Sequence, residues 1–197
     1  MPTFTEKDAT RPAFWDERFA QSFTPWDLGH VPPRWREFCE ASPARRTLIP
    51  GCGSAYEALT LAEAGWDVTA IDFSPHAVAQ AQATLGLHAA CVREADFFSF
   101  DADAPFELIY ERAFLCAMPP ARWPAIAARW AELLAPQGLL AGFFYFDQTK
   151  SGPPFGADAA TLQALLLPGF ELLQDEAIEN SIPVFQGKER WQVWRKR

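Results

Sequence analysis

From residue 46 onward the chain alternates short apolar stretches with amphipathic ones, and few architectures accept that order. Alternating strand and helix signals mean parallel strands joined by helical crossovers, hence an α/β fold. The first strand is "RTLIP", 46–50, followed by a helix from an N-cap at Ser54 through Ala64, with Glu57 at the capping-box position and Gly65 as its stop. "WDVTAID", 66–72, is a second strand, and "SPHAVAQAQATLG", 74–86, opens with Ser74 as N-cap and Pro75 at the first helical position. "HAACV" reads as a third strand, "FELIYER", 106–112, as a fourth, and 120–136 as a helix interrupted early by Pro124. "GLLAGFFYF", 138–146, is an uninterrupted apolar run, as expected of a fifth strand buried on both faces. A helix near 158–166 precedes two strands of alternating polarity, "FELLQDEAIE" and "ERWQVWRK", close enough in sequence to pair antiparallel.

In open α/β sheets ligands bind beyond the carboxyl ends of the strands, and the turn after the first strand lies there. That turn holds Gly51 and Gly53. A dinucleotide fingerprint requires a third glycine at the position of Tyr56, and no Lys-Ser/Thr pair follows to make a phosphate-binding P-loop. What remains is a backbone that a ligand can approach, or a plain tight turn. About 20 residues on, Asp72 ends the second strand, where a carboxylate accepts hydrogen bonds from a ribose diol and repels a 2′-phosphate. The acidic "EADF" after the third strand places Asp96 to meet an adenine amino group, with Phe97 beside the ring; both aspartates could instead be strand-end caps.

Composition removes several classes. The formal net charge of −8 disfavours a polyanionic nucleic-acid partner. No apolar run approaches the ~20 residues that span a bilayer, and the opening residues lack a signal-peptide pattern, so a soluble, cytoplasmic chain is expected. Four irregularly spaced cysteines with no histidine cluster offer no metal site and suit a reduced compartment. Eight Trp and 17 Phe either pack an ordinary core or line an aromatic cavity. With no repeat or linker, 1–197 reads as one domain, expected as a monomer.

The segments "FWDERF", "TPWDLG", "PGCGSAYE", "AIDFSPHAV", "ADFFSF", "YERAFLCAMPPARW" and "GPPF" together resemble the thiopurine S-methyltransferase superfamily of class I S-adenosylmethionine-dependent methyltransferases, in order from residue 14 to about 194. Bacterial members and plant thiol and halide methyltransferases are the most similar branches. The resemblance implies a Rossmann-like, seven-stranded, mostly parallel sheet of order 3-2-1-4-5-7-6 with helices on both faces. It implies S-adenosyl-L-methionine as co-substrate and S-adenosyl-L-homocysteine as product. It places Gly51 against the methionine part, Asp72 on the ribose, Asp96 and Phe97 on the adenine, and Arg112 near cofactor and acceptor. Trp15, Phe19 and Trp26 fall at family aromatic positions, Phe19 departing from the Trp of plant members. Residues 1–30 then form a lid over the cofactor site, or their rings only pack an N-terminal helix on the sheet.

Methyl transfer from a sulfonium is an in-line displacement, so alignment does most of the work, worth roughly 7–11 kcal/mol as effective molarity. Aromatic faces attract the cation by ~0.5–2 kcal/mol. A thiol of pKa ~8.5 is only about 3% ionised at pH 7, so a base helps with a thiol and is superfluous for a halide. Arg112 is the candidate to orient the acceptor and Glu111 the candidate base, or the two form a surface ion pair with each other or with Arg122. His30, His76 and His88 lack the context of a base, and Cys52 and Cys116 that of a nucleophile. The Asn/Asp-Pro-Pro-Tyr/Phe tetrapeptide of many nitrogen methyltransferases is replaced after strand four by "YERA". The resemblance, with that tetrapeptide absent, implies a small soft nucleophile as acceptor, chiefly thiol or heterocyclic-thiol sulfur, walled by Trp26 and by Phe155 of "GPPF", unless that segment is only a rigid proline turn without ligand contact. An NAD-dependent oxidoreductase, or a non-catalytic S-adenosylmethionine-binding regulator, are the alternatives.

Overall fold

The computed structural model describes residues 2–149 and 151–197. Two short helices come first, α1 (Pro12–Ala20) and α2 (Pro33–Glu40), each with proline in its first turn, where the absent N–H would have no helical partner. The alternation then runs β1 (Arg46–Pro50), α3 (Tyr56–Glu63), β2 (Asp67–Asp72), α4 (Pro75–Leu85), β3 (Val92–Glu94), β4 (Phe106–Arg112), α5 (Trp123–Leu133), β5 (Leu134–Tyr145), α6 (Ala159–Leu166), β6 (Phe170–Ala177) and β7 (Glu189–Lys196). The strands make one seven-stranded sheet of order β3-β2-β1-β4-β5-β7-β6, the order the resemblance implies, with β7 antiparallel to β5 and β6.

Two compact units share the chain, one ending at Phe100 and one starting at Asp101. In the first, β1 and β2 pair in parallel from Arg46↔Asp67 to Pro50↔Ile71, and the buried Leu48, Ala58, Leu61, Ala70 and Ala81 fill its core. Alanine on α3 and α4 lets those helices pack close to the strands. In the second, Phe106, Ile109, Ile126, Trp130, Leu140, Phe144 and Trp194 are buried. Trp35, Trp130, Trp191 and Trp194 are all fully buried, so much of the tryptophan excess is core packing. The edge strand β6 faces solvent with Glu171 and Asp175, which pair across to Arg195 and Arg190 at 2.6 Å each and blunt an otherwise open edge.

Three local expectations are corrected. Ser54 does not cap α3: Ala55 stands at the N-cap in the left-handed region (φ 57°), and the Ser54 hydroxyl instead donates to Asp27 and accepts from the Gln80 side chain at 2.8 Å. "HAACV" is not a strand, because Gly86–Cys91 forms a 3-10 turn and pairing begins only at β-branched Val92. Pro124 does not interrupt a helix; it occupies the first turn of α5, preceded by a 3-10 turn at Pro120–Arg122. Strand β5 accordingly starts four residues earlier than its apolar run, through an irregular register around Gln137, which has φ 65°.

Gly142 pairs with Glu111 across β4 and β5, and a Cβ there would fall well inside van der Waals distance of the Glu111 backbone. Gly142→Ala is expected to lower the unfolding free energy by about 3 kcal/mol or more, read from the urea midpoint.

Candidate functional site

In the first unit the site grows from the C-terminal ends of β1 and β2. The turn after β1 is left-handed at both glycines, φ 59° at Gly51 and 51° at Gly53, a conformation that residues with a Cβ adopt at a cost. Asp72 ends β2 and is buried; its Oδ2 accepts from the Gly53 amide at 3.1 Å and its Oδ1 from the Ser74 amide at 2.9 Å. Burial raises its pKa to about 6, against the pull of the Ser74, Gly53 and Phe73 amides. A carboxylate has about four acceptor positions, so lone-pair capacity remains for further donors.

Aromatic residues of the N-terminal segment lie on this turn. A Phe19 ring atom is 3.4 Å from where a Cβ of Gly53 would sit. Trp26 stands edge-on to Trp15 and Phe19, with ring centres 5.3 and 6.0 Å apart, and the Trp15 indole donates to the Ala9 carbonyl at 2.8 Å. Sequence reading did not single out the residue that fastens this segment. Asp16 on α1 accepts from the Ser74 hydroxyl at 2.7 Å and the His76 amide at 2.9 Å, and its other oxygen meets the His76 ring at 2.9 Å. A carboxylate at the start of α4 also suits the partial positive charge of a helix N-terminus. Asp27 of "TPWDLG", joined to Ser54, is a second tie. These bonds span 58 and 27 residues, beyond any local pattern.

Asp96 is exposed, and its Oδ1 accepts from the Phe98 amide at 3.0 Å, closing a turn that presents the buried Phe97. The Ala95 amide donates to the Asp72 carbonyl at 2.9 Å, which ties this turn to β2. Gly51, Gly53, Asp72, Trp15, Phe19 and Trp26 are thus gathered at one end of the first unit.

In the second unit Glu111 and Arg112 close β4, and as neighbours on a strand they point to opposite faces. Glu111 is 1% exposed, so it is no surface ion pair. Its carboxyl accepts from the Leu115 amide, at 3.1 Å to Oε1 and 3.3 Å to Oε2, and fastens the turn that follows, where Ala113 has φ 57°. Burial lifts its pKa to about 8, opposed by the Leu115 and Phe114 amides. Arg112 is half-buried, its guanidinium 5.8 Å from the centre of the Phe143 ring. Phe155 reaches the same turn, its amide donating to the Cys116 carbonyl at 2.7 Å, and it lines a small cavity with Leu115, Cys116, Phe144 and Tyr145. Burial holds the Cys52 and Cys116 thiols far above their ordinary pKa, which leaves both protonated at neutral pH. Among the described residues no cluster of His, Cys, Asp and Glu could hold a metal ion, and no helix is long and apolar enough to cross a membrane.

Glu111 generates a pH prediction. Its carboxyl binds its proton more tightly folded than unfolded, so it contributes stability that is complete below about pH 4.5 and is lost as pH rises toward 8. Thermal scans of the wild type should show Tm falling across that window, and Glu111→Gln, which stays neutral, should flatten the upper half of the slope.

A model of the thiopurine S-methyltransferase family matches residues 10–197. Thiocyanate methyltransferase 1 of Arabidopsis thaliana is 32% identical over 191 residues, an alignment spanning 92% of this chain and 84% of the relative. Thiopurine S-methyltransferase of Pseudomonas fluorescens (strain SBW25) is 32% identical over 167 residues, 73% of this chain and 76% of the relative. Among solved structures, 1,6-didemethyltoxoflavin-N1-methyltransferase of Burkholderia thailandensis superimposes with a TM-score of 0.76 over 99% of this chain and 93% of that one, at 18% identity, a likeness of fold. With a family match over almost its whole length and relatives above 30% identity, the chain belongs to the thiopurine S-methyltransferase family.

Proposed function

We propose that the chain is an S-adenosylmethionine-dependent methyltransferase acting on a small soft nucleophile, with the sulfur of a thiol or heterocyclic thiol as the receiving atom. The observation that carries this reading is the buried Asp72 carboxylate, bonded to the Gly53 amide of a double-glycine turn that Phe19 covers. The residues fit the co-substrate by their chemistry. Asp72 retains acceptor capacity for two ribose hydroxyls, the left-handed glycines let backbone approach the amino-acid end, and the rings of Trp15, Phe19 and Trp26 offer π faces to a cation. Asp96 and Phe97 serve the adenine.

Bound S-adenosylmethionine supplies an electrophilic methyl group on a sulfonium sulfur. The protein's part is to hold, align and dry. The N-terminal segment through His30 serves as the lid of a single methyltransferase domain, held by Asp16 on the start of α4. In the second unit Arg112 orients the acceptor and Phe155 walls it. Glu111, with both oxygens engaged by the Leu115 amide, supports the turn beside Arg112. Relatives named for thiocyanate, thiol and thiopurine substrates favour sulfur as the receiving atom. The NAD-dependent alternative lacks the third glycine and has no support from the family match. Four free thiols and the acidic charge favour a cytoplasmic enzyme with a small-molecule acceptor and no nucleic-acid partner, and we take it to be a monomer.

Hydrogen bonds from a ribose diol need the ionised Asp72, so affinity should be full above its pKa of about 6 and fall below it. Calorimetry with S-adenosylhomocysteine should show binding roughly tenfold weaker at pH 5 than at pH 7, and Asp72→Ala should weaken it at both; equal affinity in wild type and variant would sink the assignment. For turnover, purified protein with labelled S-adenosylmethionine and a panel of thiols, thiones and halides should give S-methylated products by mass spectrometry. Tight S-adenosylhomocysteine binding with no product would point to a regulator. Glu111→Gln should keep kcat within about threefold, whereas loss of a true base would cost about 10² to 10⁴.

A further inference from the structure

Just past the end of β5 stands a carboxylate whose every acceptor position is taken. Asp147 follows β5 by two residues, and its side chain is 17% exposed. Lys188 Nζ donates to its Oδ2 at 2.6 Å and the Tyr145 hydroxyl donates to the same atom at 2.9 Å. Its Oδ1 accepts from the Thr149 amide at 3.2 Å and from the Thr149 hydroxyl at 3.1 Å. A carboxylate offers about four acceptor positions, so these donors fill it. Asp72 keeps capacity for a ligand; Asp147 keeps none, and what it does is hold the chain. The Lys188 and Tyr145 bonds keep its carboxyl well below the ordinary carboxylate range, so it is ionised throughout the neutral pH range.

Two of its partners belong to the sheet. The Phe146 amide donates to the Lys188 carbonyl at 2.7 Å, which extends the ladder one residue past the Tyr145↔Glu189 pair, and the Tyr145 ring packs on the buried Phe185 with centres 5.6 Å apart. Its other neighbours belong to the segment that leaves β5 and comes back. Thr149 lies on the outgoing limb. On the returning limb the Ala157 carbonyl accepts from the Asp147 amide at 3.2 Å, and a Cβ on Gly156 would fall well inside van der Waals distance of the Asp147 Cβ and carbonyl oxygen. Phe155 comes one residue before that close approach; its ring lies against Gly152, where there is likewise no room for a Cβ. Tyr145, Phe155 and Ala157 line one small cavity. Tyr145 and Ala157 are bonded to Asp147 directly, and Phe155 adjoins the glycine that packs on it.

We propose that Asp147 is a positioning residue for the methyl acceptor: its carboxylate ties the limb that carries Phe155 to the end of β5, so that this wall stands in place before an acceptor arrives. This rests on the reading that Phe155 walls the acceptor. A wall that is already ordered spares the acceptor the entropy of ordering it on binding. An aromatic heterocyclic thiol, whose ring can pack on Phe155, gains most from that.

Amide exchange and calorimetry test it together. Asp147→Ala should speed exchange of the Phe155 amide by at least about tenfold, and should weaken binding of 2-mercaptopyridine to the S-adenosylhomocysteine complex about tenfold while S-adenosylhomocysteine affinity stays within about twofold. Lys188→Met keeps the carboxylate and removes one donor from a half-exposed position, so it is safe for folding and should move exchange and affinity the same way, by about threefold. Phe155→Ala should also weaken 2-mercaptopyridine binding, and adding Asp147→Ala to it should change affinity by less than about twofold, a non-additivity that a general loss of stability would not produce. Three results overturn the role of Asp147 and leave that of Phe155 intact: unchanged exchange in Asp147→Ala and Lys188→Met, unchanged 2-mercaptopyridine affinity in both, or an Asp147→Ala effect of the same size with and without Phe155. If Phe155→Ala leaves 2-mercaptopyridine affinity unchanged, or the wild-type complex does not bind it, the reading of Phe155 as the acceptor wall fails, and this inference with it.

Discussion

The carboxylate of Asp72 is the constraint on which the first unit turns. It ends a parallel strand in a place with little water, where burial alone would keep it protonated. The amides of Gly53 and Ser74 oppose that cost, and they belong to different loops. One side chain thereby fixes the turn after β1 and the start of α4. From Ser74 the order continues outward: its hydroxyl accepts from the Ala77 amide, capping α4, and donates to Asp16. A continuous line of hydrogen bonds runs from the sheet to the N-terminal helix. Phe19 rests over the glycine turn whose backbone Asp72 holds, and Trp26 packs edge-on to Phe19 and Trp15.

The second unit handles charge differently. Glu111 and Glu189 are both buried, yet they stand on opposite sides of the sheet and meet different partners. Glu111 faces backbone amides, so its protonation is coupled to the shape of the turn at 113–117. Glu189 shares a sheet face with Arg112 and Phe143, and there burial raises its pKa while the Ser181 side chain and then the Arg112 charge lower it. Buried carboxyl groups of the same residue type thus behave differently according to whether backbone dipoles alone, or a side chain and a charge, answer them.

Much of this was legible in the chain because it is locally encoded. The strands from 46, 67 and 106 follow from apolar runs, and Ser74 with Pro75 announces a helix start by side-chain chemistry alone. Where the reading failed, a distant partner had outbid a local preference. Ser54 has the chemistry of a cap, but Asp27 and Gln80 engage its hydroxyl and α3 starts from a left-handed Ala55. Sequence offers Glu111 as a base or as half of a surface ion pair, and the burial that excludes the ion pair comes with the turn whose Leu115 amide it accepts from. Glu189 read as the polar half of an alternating strand, since alternation tells which residues share a face and not whether that face is covered.

By itself the sequence determined the class of fold, the glycine turn with its acidic partner, and the family, because periodicity, turn residues and short motifs act over a few neighbours. Tertiary structure decided what those groups meet. It set Phe19 over Gly53, bound Asp16 to the start of a helix 58 residues away, and turned Glu111 toward backbone while Glu189 shares a sheet face with Arg112. The reason is physical: a carboxylate's behaviour depends on burial and on the groups around it, and both are properties of packing between segments far apart in the chain.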